Sequence, residues 1–200
     1  RVALLLLLTT ACGGAESGVT QAPRKAGWAE PIPLDGAPNL HRINPVLYRG
    51  AQPDAQGFAG LANLGIRTVV NLRHYGNDED ELRRAFGGCA SIDLVNLPVD
   101  AGKVEERHIA AFLKVASDPS KQPVFFHCKH GADRTGVMAA AWRMVMENWS
   151  ADDAIDEMIH GGYGYHTVWK NLLELLKKLD VKKIRASLPR LPENTPAAEV

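Results

Sequence analysis

The chain of 200 residues is 46% hydrophobic, 23% charged and 6% aromatic. That composition suits one globular domain of about 150 residues with extensions, and it excludes collagen, coiled coil and wholesale disorder. The 23 Lys and Arg balance 23 Asp and Glu, so no global basic field serves nucleic acid or anionic lipid, and any anion site has to be local. Three cysteines, Cys12, Cys89 and Cys128, are too few and too scattered for a disulfide framework or a four-thiolate metal site.

Arg1 leads into an apolar run from Val2 to Leu8 and then Thr9-Thr10-Ala11-Cys12. A charged start, a short apolar stretch and small residues at a cut point read as part of a secretory signal over residues 1–11. The apolar run is far below the roughly 20 residues a membrane span needs. The stretch ending in Cys12 resembles the lipobox of bacterial lipoproteins, although Thr9 stands where Leu is usual. That resemblance implies lipidation at Cys12 and an exported protein held in the bacterial cell envelope or periplasm by its lipid alone. A signal cut elsewhere and an unmodified Cys12 are the alternatives. Residues 12–38, rich in Gly, Ala, Pro and Ser, are expected to be a flexible tether, residues 39–187 a single folded domain, and residues 188–200, with Pro189, Pro192 and Pro196, a disordered tail.

Within the domain, Val46 to Arg49 reads as a short strand, and Pro53-Asp54 opens a helix that Gly65 stops. Ile66 to Leu72 reads as a buried strand, Asp78 to Phe86 as a short helix ended by Gly87-Gly88, and Ile92 to Leu97 as another strand. Apolar residues Ile109, Ala110, Phe112, Leu113 and Ala116 give a helical face over 105–116, and Val124 to Phe126 is a buried strand. Helices are expected over about 135–147, from Ser150 to Ile159 behind a capping box, and over 168–179. Strands alternating with helices predict an α/β fold, a central mostly parallel sheet flanked by helices, with the active groups at the carboxyl ends of strands.

The loop after Phe126 reads His127-Cys128-Lys129-His130-Gly131-Ala132-Asp133-Arg134-Thr135-Gly136. A thiolate is the nucleophilic form of cysteine, and the amino end of a following helix stabilises it. The intervening residues can curl into a cradle of inward N–H groups matching three phosphoryl oxygens. Arg134 adds a planar fork that binds two of them, Thr135 can hydrogen-bond the sulfur, and His127 orients the loop. Gly131 and Gly136 permit tight curvature. This segment resembles the signature His-Cys-x5-Arg-[Ser/Thr] of the cysteine-dependent protein tyrosine phosphatase superfamily, and within it the bacterial dual-specificity-type enzymes, some of them similar to phosphatase-like phytases. Tyr48 to Pro53, Leu64 to Arg73 and Gly161 to His166 carry the likeness further along the chain.

The resemblance implies phosphate monoester hydrolysis through a cysteinyl-phosphate intermediate, on phosphotyrosine, phosphoserine or phosphothreonine proteins or on inositol phosphates, with no metal and no cofactor. It also implies an upstream Asp that protonates the leaving oxygen and then activates water. Asp100, in Leu97-Pro98-Val99-Asp100, is the best match, ahead of Asp93, Glu105 and Glu106, although no Trp-Pro-Asp triplet is present. Lys129 and His130 would put cations on the rim of the cradle and favour a substrate with several phosphates, while Ala132 and Asp133 argue against that preference. With Gly131 they form the expected substrate-binding loop. Asp133 is expected to turn outward and bond the loop backbone. Arg73 and His74 are candidates to line the pocket. Trp142, Met144, Val145 and Met146 are expected in the core, and Trp149 and Trp169 in packing. Cys89 is either an inert thiol or a redox partner of Cys128.

Other chemistries fit less well. His127, Cys128 and His130 lack the converging partners a zinc site needs. A rhodanese-type sulfurtransferase needs neither the upstream acid nor Thr135. An RNA 5′-triphosphatase shares the His-Cys-x-His-Gly opening, but the export signal and neutral charge disfavour RNA as a partner. A catalytically weak phosphate-binding module would keep Arg134 and lose Cys128 or the acid. A monomer is expected.

Overall fold

Val124-Phe125-Phe126-His127 is buried at every position, as a central strand covered by helices on both faces requires. The computed structural model describes residues 24–87 and 92–188. Its strands are β1 (Glu30–Pro31), β2 (His41–Asn44), β3 (Leu47–Gly50), β4 (Thr68–Asn71), β5 (Asp93–Asn96) and β6 (Val124–His127), in the sheet order β1-β2-β3-β6-β4-β5. β3, β6, β4 and β5 run parallel, and β1 and β2 add an antiparallel edge. The fold is therefore α/β with a mostly parallel sheet, as the alternation of elements predicts.

The helices are α1 (Ala55–Asn63), α2 (Glu79–Phe86), α3 (Glu106–Ala116), α4 (Asp133–Met146), α5 (Ala151–His160), α6 (Lys170–Lys177) and α7 (Val181–Ser187). Alternation along β6 divides the interior. Phe125 packs with Phe58 and Leu61 of α1 on one face, while Phe126 packs with Phe112 of α3 and the apolar residues of α4 to α6 on the other. α4 is buried along most of its length, and Trp142, Met144 and Val145 lie in this core as expected. Gly136 lets α5 approach closely, since a Cβ there would stand 3.0 Å from Met158.

Local signals set most boundaries. Asp54 caps α1 by accepting from the Gly57 N–H, Gly65 follows that helix with φ +80°, Gly87 caps α2 with φ +61°, and Ser150 caps α5 by accepting from the Asp153 N–H. Two expectations need correction at helix ends. α4 begins at Asp133, so Asp133 and Arg134 belong to its first turn. The last expected helix is α6, and a further helix that the sequence reading did not expect, α7, follows it, with Asp180 capping α7 through the Lys183 N–H.

The expected tether also needs correction. Residues 24–38 belong to the folded unit: Glu30–Pro31 pairs with β2, and Ala29 and Ala37 are 1% and 2% exposed. Arg24 donates to the carbonyls of Ala29 and Gly161. The segment lacks periodicity because it packs through small residues. At Gly36, φ +76°, a Cβ would stand 2.1 Å from an Asp54 carboxylate oxygen. The expected signal, Cys12, Cys89, Gly88 and residues 189–200 of the tail lie outside the described residues.

Candidate active site

The loop 128–132 joins the carboxyl end of β6 to the amino end of α4. Gly131 adopts φ +69°, and a Cβ on it would lie 2.5 Å from the Gly50 backbone, so only glycine fits this bend against β3. Cys128 is 3% exposed. Burial alone pushes its thiol pKa up. The hydroxyl and N–H of Thr135, the charge of Arg134 and the N–H of Gly131 outweigh that and hold it below its ordinary value. The Thr135 hydroxyl is buried with no hydrogen-bond partner of its own, and its action on the Cys128 sulfur is the role left to it.

Arg134 is half-buried and donates from Nη1 to the carbonyls of Val99, at 3.1 Å, and Leu72, at 3.4 Å. Those carbonyls come from the segments after β5 and β4. The catalytic loop is thereby tied to the segment carrying Asp100, the next residue after Val99. Asp100 is exposed and caps a short 3-10 turn, Ala101–Lys103, through the Gly102 N–H at 3.0 Å. The weaker candidates are placed otherwise. Asp93 begins β5 at an exposed position, Glu105 pairs with Arg107, and Glu106 lies in the first turn of α3.

His127 is fully buried between Asp78 and the loop, with Nε2 2.8 Å from Asp78 Oδ2 and Nδ1 3.1 Å from the Cys128 carbonyl. Both ring nitrogens face oxygen atoms. His127 thus links Asp78 to the loop backbone and has no free nitrogen for a metal. Asp78, 1% exposed, also accepts from Arg73 Nη2 at 2.8 Å and Gln52 Nε2 at 2.9 Å. Burial would raise its pKa, yet His127, Gln52 and Arg73 together hold its carboxyl below the usual carboxylate value.

Sequence reasoning took Asp78 only as a helix start, yet its side chain makes no cap and turns inward instead. Arg73 is corrected with it. Its guanidinium is committed to Asp78, Asn71 and the Asn77 carbonyl, so it braces the site from behind rather than lining a pocket. His74 is exposed beside Tyr75, edge to face.

Lys129 and His130 are exposed on the rim, and Gly131 and Ala132 are buried in the loop wall. Asp133 does not turn outward. Its carboxylate accepts the His166 N–H at 2.9 Å and pairs with His166 Nδ1 at 2.9 Å, which fastens the 161–166 turn to the start of α4. His166 itself is half-exposed, with its ring 5.9 Å from that of His130. The sequence reading took it only as part of the Gly161 to His166 likeness and gave it no role, because it reaches the rim only through that turn. Arg49 was missed as well; it lies on β3, 1% exposed, and donates to the Gly131 carbonyl at 2.7 Å. Trp149 packs under the Arg143 guanidinium, and Trp169 packs against the main core.

Comparison with known proteins agrees with this geometry. The family described as "DSP-PTPase phosphatase fused to NAD+ Kinase" matches residues 38–165. The dual specificity protein phosphatase TpbA of Pseudomonas aeruginosa is 34% identical over 177 residues, 88% of this chain and 78% of that protein. A crystal structure of TpbA in complex with phosphotyrosine superposes with a TM-score of 0.72 at 32% identity, covering 83% of this chain and 98% of that one. An inositol diphosphatase of rice, DSP2, is 32% identical over 127 residues, 61% of each chain. With the complete Cys128-to-Arg134 loop in place, the chain belongs to the dual-specificity phosphatases of the cysteine-dependent protein tyrosine phosphatase superfamily.

Proposed function

We propose that the chain hydrolyses phosphate monoesters in two displacements, with Asp100 as general acid and then general base. The observation that carries this reading is a buried cysteine at the foot of an N–H-lined loop, its thiol pKa held down in spite of burial. The Cys128 thiolate attacks phosphorus, the S–P bond forms and the bond to the leaving oxygen breaks, and Asp100 gives that oxygen its proton. Water then attacks the thiophosphate and passes a proton to Asp100. The S–P bond breaks, releasing phosphate and the thiolate that Thr135 stabilises. Arg134 and the loop N–H groups hold the phosphoryl oxygens throughout.

Asp100 is supported by its place next to Val99, whose carbonyl is bonded to Arg134. Its role is tested by Asp100→Asn. Turnover of alkyl phosphates, which have poor leaving groups, should fall further than turnover of nitrophenyl phosphate, and equal losses would move the acid elsewhere.

The exposed Lys129 and His130, with His166 beside them, make a rim suited to a substrate bearing more than one phosphate. The inositol diphosphatase relative supports an inositol phosphate, and the TpbA complex supports a phosphotyrosyl protein. Phosphate release from inositol hexakisphosphate and from phosphotyrosyl and phosphoseryl peptides, with Cys128→Ser as control, separates them. Preference for the inositol compound that Lys129→Ala and His130→Ala abolish would assign it to the rim; preference for a peptide would assign a protein substrate.

The sequence of residues 1–12 supports export and lipidation at Cys12. Incorporation of labelled palmitate that is lost in Cys12→Ala is the expected result, and unaltered labelling would refute it.

A further inference from the structure

We propose that Arg49 and Asn39 are positioning residues of the phosphate cradle, holding its carbonyls outward so that its N–H groups face the sulfur and the phosphoryl oxygens. A loop that presents successive N–H groups to its interior must turn its carbonyls away, and buried carbonyls require donors. Here each has one. The Cys128 carbonyl faces His127 Nδ1, the Lys129 carbonyl accepts the Gln52 N–H at 3.3 Å, the His130 carbonyl accepts Asn39 Nδ2 at 2.9 Å, and the Gly131 carbonyl accepts Arg49 Nη2 at 2.7 Å. On the inner side, the Gly131 N–H acts on the Cys128 sulfur. Three of these four donors come from residues 39–52, which lie against the loop because β3 pairs with β6 and sets Gly50 opposite His127.

Arg49 is placed for this task and for little else. Among the described residues no carboxylate forms an ion pair with it. Glu157, the buried acid nearby, is bound to Arg143 at 2.8 Å and also accepts the Ala29 N–H and the Tyr163 hydroxyl. The Arg49 guanidinium lies 3.7 Å from the centroid of the Tyr163 ring, which clamps it in place. A guanidinium stays protonated, so a buried one without a carboxylate needs an anion elsewhere. Tyr163, Glu157 and then the Cys128 thiol are the groups whose negative charge acts on Arg49, and with Glu157 held by Arg143 the loop sulfur is the anion left to it.

Asn39 shows a matching constraint. It holds φ +56°, rare outside glycine, and its amide donates to both the His130 and the Tyr163 carbonyls.

The proposal rests on the cysteinyl-phosphate reading, but its test reads the cradle and does not depend on which residue is the acid. In the full-length protein, the pH dependence of Cys128 alkylation by iodoacetamide and the affinity for vanadate are measured for Arg49→Met, Arg49→Lys and Asn39→Gly. Arg49→Met should move the alkylation midpoint up by about one pH unit and weaken vanadate by about ten- to a hundredfold, with Arg49→Lys between it and the unsubstituted protein. Asn39→Gly keeps the backbone conformation, removes the amide's bonds to the His130 and Tyr163 carbonyls, and should weaken vanadate by about three- to tenfold in the folded protein. An unmoved midpoint and unchanged vanadate affinity in folded Arg49→Met would overturn the proposal. If Arg49→Met does not fold, unchanged vanadate affinity in Asn39→Gly and Arg49→Lys overturns it.

Discussion

Asp78→Asn isolates the charge that holds His127 under the catalytic loop. The carboxylate accepts from His127, Arg73 and Gln52 and is 1% exposed. Asparagine keeps the shape and one acceptor oxygen, which can stay with Arg73 and Gln52, but its NH2 then faces His127 Nε2, so that bond persists only with its direction reversed and the carboxylate charge between the partners is gone. A hydrogen bond to a charged group contributes about 1.5–3 kcal/mol, and breaking a buried ion pair costs about 3–5 kcal/mol. Arg73 keeps a fifth of its side chain in water, which softens the second figure, so a loss of about 3 kcal/mol is expected. Urea unfolding should show it as a lower midpoint at constant m, and thermal unfolding as a drop of about 6–12 °C. Because the folded pKa of Asp78 is depressed, its contribution is present above the unfolded value of about 4 and lost as pH falls through the folded one. The variant should therefore lose stability at neutral pH and converge on the unsubstituted protein in acid. A loss below about 1 kcal/mol at pH 7 with normal turnover would refute the reasoning.

His41 gives a second pH signature. Burial pushes its pKa down from 6.5 to about 4, helped by Arg49 and Arg24 and opposed by the Asn39 carbonyl. A base with a depressed folded pKa contributes stability above pH 6.5 that is lost as pH falls towards 4. His41→Gln should flatten urea midpoints across that window, and an unchanged slope would exclude His41 as their source. Gly131→Ala forces a Cβ within 2.5 Å of the Gly50 backbone at φ +69°, so turnover should fall by at least about a hundredfold, with vanadate binding lost alongside it. Glu157→Gln leaves the buried Arg143 short of its main counter-charge and should cost about 3–5 kcal/mol in urea unfolding. A cost near zero would show that Glu147, which also pairs with Arg143, suffices.

The chemistry was legible because it is contiguous. Cys128, Arg134 and Thr135, the residues to which the proposal gives the nucleophile, the phosphate-binding arginine and the thiol-stabilising hydroxyl, lie within one strand-loop-helix junction that presents them together. Helix caps at Asp54 and Ser150 and the glycine stops were legible for the same reason, since their partners lie within a few residues. The alternation of strands and helices was enough for the fold class.

What supports the cradle had no local signal. Asp78 and His127 are 49 residues apart, Arg49 and Gly131 are 82 apart, and Asn39 and His130 are 91 apart. Each pair meets only because β6 lies between β3 and β4 in the sheet. Asp78 looked like the start of a helix, Arg73 like a pocket wall and residues 24–38 like a tether, because polarity and small side chains read as solvent exposure until a partner is placed against them. The sequence by itself determined the candidate reaction centre and the fold class, because periodicity and a short loop between one strand and one helix are local properties of the chain. Only the tertiary structure decided which buried charges brace that centre, because the free energy of burying a charge depends on the partner brought to it by distant segments.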